Sequence, residues 1–400
     1  MDPRINPYTP NAGARPPALV GRDAELESFE ILLERLRRGY AEQSMLITGL
    51  RGVGKTVLLG AFEGRALNSG WVTVSAEITK NEDFGPRMGG MVRRALFQVA
   101  PKASWTDRIR RAAGVLKSFS LTVSSEGAVT AGIDIDPIEG VADTGNLSDD
   151  LTDLLVALGE AAQERETGVV FLVDEVQFLR AGEFEALIAG LHRTVQRELP
   201  ITLVGAGLPQ LPRLAGEAKS YAERLFKFPR LGRLSPPEAE TALAQPAGDL
   251  GVEFEPRAID VIVEYTEGYP YFIQEHGKIV WDLAPEGRPI ARRIAEEARR
   301  VVEDKLDESF FRVRAERTTG LELRYLRAMA DLGPGEHTAG DVATVMARTS
   351  EQLGPTRARL IDKGLIYTTG HGRGAFTVPQ FDRYMRRTYE LALPNRRKED

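Results

Sequence analysis

Hydrophobic and polar positions along the chain follow two periods, one typical of helices and one typical of buried strands. The first predicted helix begins near Asp23, and its apolar residues recur on one face: Leu26, Phe29, Leu32, Leu33 and Leu36. Apolar runs predict strands at 44–47, 71–78, 169–173 and 201–204, and amphipathic runs predict helices at 57–67, 84–100, 149–164 and 184–196. Strands that alternate with helices predict an α/β fold with a three-layer core around a parallel sheet.

The segment between the second and third predicted strands is longer than a minimal βαβ unit requires. Residues 105–116 are amphipathic and basic, and residues 119–135 alternate in polarity around a Ser-Ser-Glu-Gly turn. These patterns predict a helix followed by a β-hairpin. We expect the pair to form an insert at about 103–148.

The pattern changes after residue 234, where prolines separate helical segments and no strand is predicted before residue 365. Residues 289–316 are predicted to form one long charged helix. Three helices at 321–332, 339–346 and 353–363, followed by two strands around a wing tip at 370–374, predict a winged helix. We therefore predict five segments: an irregular arm (1–18), the α/β core (19–233), an α-helical lid (234–317), a C-terminal winged-helix domain (318–391) and a tail (392–400).

Composition narrows the chemistry open to this chain of 400 residues and net charge −6. The absence of cysteine excludes disulfides, cysteine nucleophiles and thiolate metal sites. Residues 1–17 lack the apolar region of a signal peptide, and no apolar run approaches the roughly 20 residues that span a bilayer. We therefore expect a cytoplasmic protein with no membrane contact.

The strongest local motif is Gly49-Leu-Arg-Gly-Val-Gly-Lys-Thr56, which fits the P-loop pattern G-x-x-x-x-G-K-[ST] between a predicted strand and a predicted helix. Its glycines let backbone N–H groups point at phosphate oxygens, and the helix N-terminus adds a favourable dipole. We predict that Lys55 reaches the β- and γ-phosphates of ATP and that the Thr56 hydroxyl coordinates Mg²⁺. The candidate nucleotide contacts are Gly49, Gly52, Val53, Gly54, Lys55, Thr56 and Val57.

A second motif, Val169-Val-Phe-Leu-Val-Asp-Glu175, is a buried strand that ends in two carboxylates. Asp174 at this strand end can hold Mg²⁺, and Glu175 can polarise an attacking water. Alone, such a strand end is more often simply solvated. Beside the P-loop, the pair predicts Mg-dependent hydrolysis of ATP to ADP and phosphate, with Glu175 and Lys55 as catalytic residues.

Together these motifs resemble the AAA+/STAND group of P-loop ATPases, in particular the archaeal-type ATPases, the origin-recognition initiators and bacterial AAA-family ATP-binding proteins. Three further segments carry the resemblance: residues 19–26, 221–226 and 266–274. The resemblance implies that Val20, Gly21 and Pro270 line the adenine pocket. It also implies that Arg224 acts as an arginine finger on a neighbouring subunit, which requires a homo-oligomer. Locally, Pro270 could equally break a helix and Arg224 could be an ordinary surface arginine.

One position departs from the group. The predicted strand at 201–204 continues into Gly205 and Ala206, where such proteins commonly carry a polar sensor side chain, and Gln210 lies further along. No second sensor arginine is evident in the lid either. The departure predicts slow hydrolysis, as suits a switch better than a motor.

We predict that such a switch contacts DNA through its winged helix; a weaker option is a defence or toxin-linked module whose effector lies in another protein. The winged helix could contact double-stranded DNA, with Arg357, Arg359 and Lys363 projecting from its third helix. Residues 318–400 hold thirteen Lys/Arg against ten Asp/Glu, and this net charge of +3 is modest for a DNA reader. The alternative is a STAND-type signalling or scaffold protein whose winged helix packs intramolecularly or binds protein partners.

Overall fold

The computed structural model describes residues 1–123 and 133–390. The strands of its first part are β1 (Ser44–Gly49), β2 (Val72–Glu77), β3 (Val169–Asp174), β4 (Ile201–Gly207), β5 (Phe226–Lys227) and β6 (Arg230–Leu231). The helices there are α1 (Asp23–Arg37), α2 (Lys55–Asn68), α3 (Phe84–Val99), α4 (Asp107–Val123), α5 (Leu147–Glu164), α6 (Ala181–Gln196), α7 (Leu211–Ala218) and α8 (Ala222–Leu225).

These strands form a parallel sheet in the order β2-β3-β4-β1-β5, and β6 also pairs with β1. Met45 lies opposite Val204, and Val173 lies opposite Gly205. Because the strands are parallel, the chain segments that follow β1, β3 and β4 meet at one edge of the sheet. This confirms the predicted α/β core with a parallel sheet.

Both faces of the sheet are covered by helices, as the buried runs predict. Successive strand residues point to opposite faces, so Val170 and Phe171 belong to different apolar clusters. The cluster around Phe171 packs α3, α4, α5 and α6 on one face. The cluster around Val170 includes α1 and α2 and continues through the lid into the C-terminal helices.

The predicted β-hairpin of the insert is wrong for residues 119–123, which belong to α4. The predicted turn at 124–127 lies outside the described residues. Two polar positions of that alternation are satisfied inside the helix, since the Ser120 and Thr122 hydroxyls donate to Leu116 O at 2.7 Å and Ser118 O at 3.1 Å. Phe119 is then buried at helical spacing with Leu116.

The lid consists of α9 (Pro236–Gly248), α10 (Pro256–Thr266), α11 (Pro270–Leu283), α12 (Arg292–Lys305), a π-helical turn (Leu306–Phe311) and α13 (Arg312–Ala315). The single helix predicted at 289–316 therefore begins later and is interrupted by the π-turn. No helix within the described ranges is long and apolar enough to cross a membrane.

The C-terminal unit (residues 318–390) combines four helices with a small antiparallel sheet. It contains α14 (Gly320–Asp331), β7 (His337–Thr338), α15 (Ala339–Val345), α16 (Ser350–Asp362), β8 (Ile366–Gly370), β9 (Arg373–Phe376) and α17 (Phe381–Thr388). The sheet order is β7-β9-β8. The two-residue strand β7, too short for any periodicity, contradicts the expectation that no strand precedes residue 365.

The N-terminal arm is irregular, as predicted, apart from a 3₁₀ turn at Pro3–Ile5. It is nevertheless fixed to the lid. The Tyr8 side chain is buried and its hydroxyl donates to Leu243 O at 2.5 Å, while Trp281 Nε1 donates to Asp2 O at 3.0 Å. A Cβ at Gly277 of α11 would overlap with the Tyr8 ring. The arm therefore has a defined path toward the P-loop.

Candidate functional site

The P-loop joins β1 to α2 through a turn that requires glycine. Gly52 and Gly54 have φ angles of +83° and +92°, in the region that L side chains rarely adopt. At Gly49 the restriction is space, because a Cβ would lie 2.8 Å from Leu231 O. The first N–H groups of α2 have no intrahelical acceptor, so the start of this helix is suited to an anion.

Lys55 is buried at the centre of this turn, with only 8% of its surface exposed. Its ammonium donates to Gly49 O at 3.1 Å and to Leu50 O at 2.9 Å. Burial lowers the pKa of Lys55, and the nearby Glu175 and Asp174 carboxylates oppose that shift. A bound phosphate would give this poorly solvated charge a stronger partner than the two carbonyl groups.

The structure brings Thr56 and Asp174 together across the strand ends. Thr56 Oγ1 donates to Asp174 Oδ2 at 2.5 Å, and Asp174 Oδ1 accepts from Glu175 N at 2.8 Å. A hydroxyl and a carboxylate are oxygen ligands of the kind that Mg²⁺ takes. Since the described residues hold no cluster of three or more metal-ligating side chains, such an ion would need phosphate and water as its other ligands.

Glu175 follows β3 in a left-handed conformation, with φ +55°. A 3₁₀ turn follows at Val176–Phe178 and brings Gln177 back over it. Gln177 Nε2 donates to Glu175 Oε2, and a guanidinium nitrogen of Arg51 lies 3.9 Å from Glu175 Oε1. The carboxylate is therefore held between an amide and a cation. Sequence reasoning missed Gln177, whose one signal was its place two positions after Glu175.

A cavity of about 440 Å³ opens beside the P-loop. Of the residues expected from the resemblance, Val20 and Pro270 line it, together with Val57 from α2. Gly21 and Gly49 are not among its lining residues. Gly21, at φ +68°, instead packs against the lid, where a Cβ would lie 2.7 Å from Glu238 Oε1.

The lid contacts the P-loop directly. Tyr271 N donates to Gly52 O at 3.3 Å, and a Cβ at Gly52 would lie 3.1 Å from the Tyr269 ring. The arm supplies a further wall that the sequence did not indicate, since residues 9–14 line the cavity and a Cβ at Gly13 would lie 3.4 Å from the Thr56 methyl group. P-loop, lid and arm thus enclose one space.

Arg314 of α13 adds a cation to this space that sequence reasoning did not find. Its guanidinium lies 3.9 Å from the Phe310 ring centroid, and one nitrogen donates to Phe310 O at 2.5 Å. Burial, and next the charge of Arg51, lower the pKa of Arg314 to about 10. Arg314, Lys55 and Arg51 line the cavity beside the Asp174 and Glu175 carboxylates, and these three cations could hold an anion.

Arg224 lies away from this cavity. It is exposed and precedes β5, which pairs with Ser44 and Met45 at the start of β1, whereas the P-loop follows the end of that strand. Gln43 Nε2 donates to Arg224 O at 3.1 Å. Arg224 therefore cannot serve its own cavity, and its action on a neighbouring subunit remains a prediction.

The C-terminal unit contacts the P-loop through Arg51. Arg51 N donates to Thr377 O at 3.2 Å, and a Cβ at Gly364 would lie 3.1 Å from the Arg51 guanidinium. Nearby, Lys80 forms an ion pair with Asp362 at the end of α16. The C-terminal unit is thus joined to the loop that would hold phosphates.

The basic side chains expected on the third helix are largely engaged within the unit. Arg359 and Lys363 do not project freely, because both bind Glu322, whose side chain is fully buried, at 3.1 and 2.6 Å. Burial acts to raise the pKa of Glu322, but the hydrogen bonds from Lys363, Thr319 N and Arg359 bring it down to about 2. A buried carboxylate that needs a positive partner explains why both cations bind it, while half of the Arg359 side chain stays exposed.

Several solved structures are similar to this protein in backbone fold. They include a Walker-type ATPase of Pyrococcus abyssi (17% identity, TM-score 0.48, 93% of this chain and 97% of that one). The Orc1 protein of Aeropyrum pernix in complex with DNA matches at 16% identity and TM-score 0.45, over 93% and 94% of the two chains. The RuvB Holliday junction branch migration motor of Thermotoga maritima matches at 17% identity and TM-score 0.44, over 94% and 98%. At these values we draw no functional argument from them.

Family models match two parts of the sequence. Residues 308–385 match a family described as a domain of unknown function (DUF8462), and no curated protein matches the sequence. Residues 18–204 match the family described as AAA ATPase domain, and they include β1, the P-loop and the Asp174–Glu175 strand end. The resemblance to AAA+ P-loop ATPases is thereby confirmed, and residues 18–204 form an AAA ATPase domain.

Proposed function

We propose that this protein binds ATP with Mg²⁺, hydrolyses it slowly, and passes the state of the nucleotide to its C-terminal unit. The observation that carries the proposal is the hydrogen bond from Arg51 N to Thr377 O, at 3.2 Å. It ties the P-loop to the C-terminal unit through a residue that also approaches Glu175.

The charged and polar groups of the cavity support triphosphate binding. Lys55 and Arg314 supply cations, and the P-loop supplies backbone donors around its left-handed glycines. Thr56 and Asp174 would hold Mg²⁺, which neutralises phosphate charge when it is bound. The apolar wall formed by Val20 and Pro270 suits the adenine ring of ATP. The same pocket would also hold ADP.

Hydrolysis would depend on Glu175, which lines the cavity beside Asp174. Its carboxylate can accept a proton from a water that attacks the terminal phosphate. In the structure its Oε1 atom lies 3.9 Å from an Arg51 nitrogen, which competes with a water for that oxygen. Slow turnover follows from this competition.

The switch follows from what Arg51 can bind. A terminal phosphate in the cavity offers Arg51 a second anionic partner beside Glu175, and ADP does not. A ligand shifts a conformational equilibrium only through contacts that differ between the states, and this contact differs. Because Arg51 also touches Thr377 and Gly364, its movement would change how the C-terminal unit packs on the P-loop.

We assign the C-terminal unit, as a winged helix, an intramolecular or protein-binding role of the STAND type in preference to DNA contact. The pairing of Arg359 and Lys363 with Glu322 argues against a basic DNA-recognition helix. On α17, Arg383 pairs with Glu267 of the lid, and Arg387 pairs with lid carboxylates. These ion pairs would have to break before the same cations met phosphates of a duplex.

The experiment is ATP turnover by the purified full chain with Mg²⁺, with and without double-stranded DNA, using Glu175→Gln as the blank. We expect slow turnover that disappears in the variant and does not respond to DNA. Stimulation by DNA would instead favour the DNA-contacting switch. Equal rates in wild type and variant would overturn the assignment of Glu175, and absence of ATP binding would overturn the function.

Homo-oligomerisation through Arg224 belongs to the same proposal and has its own test. If Arg224 acts on a neighbouring subunit, Arg224→Ala reduces turnover while each chain still binds ATP. Mixing Arg224→Ala with Glu175→Gln then restores activity, because one subunit supplies the arginine and the other supplies the carboxylate. No restoration would leave Arg224 as a surface residue.

A further inference from the structure

The end of β4 carries no side chain that could reach the candidate site, and the structure shows what lies there instead. Gly205, Ala206 and Gly207 pair with the last residues of β1, so this strand end is adjacent to the P-loop strand. A Cβ at Gly207 would overlap with Gln177 Oε1. The glycine thus makes room for an amide that comes from the neighbouring strand's turn.

Two hydrogen bonds fix the orientation of this amide. Leu208 N donates to Gln177 Oε1 at 3.1 Å, so the oxygen points to the end of β4. The nitrogen is then directed the other way, and Nε2 donates to Glu175 Oε2. Leu208 directly follows β4, so the Gln177 amide connects the end of this strand to the Glu175 carboxylate.

The backbone of Glu175 makes this contact possible. Its left-handed conformation, at φ +55° and ψ +36°, reverses the chain directly after β3. Phe178 N then donates to Glu175 O at 3.0 Å, which closes the turn and places residue 177 over residue 175. A non-glycine residue in this conformation costs about 1 kcal/mol, and the surrounding hydrogen bonds maintain it.

We infer that Gln177 is a positioning residue for Glu175 in ATP hydrolysis, and this inference rests on the proposed function. By holding Oε2, the amide directs Oε1 toward the cavity, where Arg51 lies 3.9 Å away. One oxygen is occupied by a fixed donor, and the other faces the cavity, where a water competes with Arg51 for it. The polar group that the end of β4 lacks is thus provided by Gln177, which acts on the catalytic carboxylate of Glu175.

The test uses two variants that separate the two hydrogen bonds of Gln177. Gln177→Met keeps the length of the side chain and removes both bonds. Gln177→Glu keeps an acceptor for Leu208 N, removes the donor to Glu175 and sets a second carboxylate against it. A purely structural role for Gln177 predicts that ATP affinity and folded stability fall together with turnover, whereas a positioning role predicts a loss of kcat alone. The matched control is Gln210→Met, because Gln210 follows the same strand and does not line the cavity.

For both Gln177 variants we expect kcat to fall by about 100-fold, the scale of a misplaced catalytic group. ATP affinity, measured with a fluorescent ATP analogue, should stay within about twofold of wild type, because the P-loop contacts are unchanged. Gln210→Met should keep the wild-type kcat. Wild-type turnover in Gln177→Glu, or an equal loss in Gln210→Met, would overturn the inference while the proposed function stands. Absence of turnover in the wild type would overturn both.

Discussion

Arg51 donates its backbone N–H to the carbonyl oxygen of Thr377, so the P-loop of the AAA domain is hydrogen-bonded to the C-terminal unit. The Arg51 side chain extends from the same point toward Glu175 Oε1, at 3.9 Å. A single residue therefore contacts both the C-terminal unit and the candidate base. Substitutions of the residues that line the cavity and of those in the C-terminal unit test the role of each.

Arg51→Ala should raise the basal rate of hydrolysis. Removing the guanidinium frees Glu175 Oε1 to accept from water, and a long, partly exposed ion pair is worth at most about 1 kcal/mol, so we expect a two- to fivefold increase. The measurement is steady-state ATP turnover. Arg317→Ala is the control, because Arg317 lies in the same groove as Arg51 but does not line the cavity. A lower rate in Arg51→Ala would show that Arg51 assists catalysis instead.

Thr56→Val should make ATP binding insensitive to Mg²⁺. The change keeps the shape of the side chain but removes the hydroxyl that bonds Asp174 Oδ2 at 2.5 Å. We expect affinity for ATP with Mg²⁺ to fall by about 10-fold or more, while affinity with a chelator present stays the same. Thr56→Ser, which keeps the hydroxyl, should retain the Mg²⁺ effect. The same loss in Thr56→Ser would assign the effect to packing.

Arg314→Met should reduce discrimination between ATP and ADP. A charge-assisted hydrogen bond to phosphate contributes about 1.5–3 kcal/mol. Loss of a contact to the terminal phosphate should therefore lower the affinity for ATP by about 10-fold or more and leave the affinity for ADP nearly unchanged. Calorimetric titration with each nucleotide measures this. Arg312→Met is the control on the same helix, because Arg312 is exposed and pairs with Glu316 outside the cavity. An equal loss of affinity for ATP and ADP would mean that Arg314 contacts a part of the nucleotide that both share.

Glu322→Gln should destabilise the C-terminal unit at neutral pH and have little effect in acid. The pKa of Glu322 in the folded protein is about 2, below its ordinary value of 4.5, so its stabilising contribution is present above that ordinary value and is lost as the pH falls toward 2. Thermal unfolding should show a midpoint lower by about 3–5 °C at pH 7. The difference from wild type should shrink steadily below pH 4.5.

The control for that experiment is Glu336→Gln. Glu336 pairs with Arg373 at 2.8 Å, but both side chains are half exposed, so water replaces the ion pair at little cost. We expect its unfolding midpoint to match wild type at every pH. A Glu322→Gln variant that behaves in the same way would mean that the buried ion pairs do not stabilise the unit.

Much of the fold could be predicted from the sequence because its strongest signals are local. The buried strands read as continuous apolar runs, and the P-loop has a fixed spacing between a strand and a helix. The hairpin prediction in the insert failed for a physical reason, since hydroxyl side chains bonded to helix carbonyls, such as those of Ser120 and Thr122, imitate the polar positions of a strand. Short β7 and the π-turn at Leu306–Phe311 carry no periodic signal at all.

The parts of the site that could not be predicted depend on contacts between distant segments. Gln177 is placed by the left-handed backbone of Glu175 and by the glycine at position 207, neither of which has a sequence pattern. Arg314 reaches the cavity because the lid helix continues through a π-turn, and the arm reaches it because Tyr8 is anchored on the lid. Each requires the tertiary structure.

The most direct test of the switch is Förster resonance energy transfer between fluorophores on the AAA domain and on the C-terminal unit. The chain has no cysteine, so Asn68→Cys at the end of α2 and His371→Cys in the turn between β8 and β9, both exposed, give two unique labelling sites. The Glu175→Gln background keeps ATP intact during the measurement. We predict different transfer efficiencies with saturating ATP and with saturating ADP. The same efficiency in both, with both nucleotides bound, would contradict the coupling between the P-loop and the C-terminal unit.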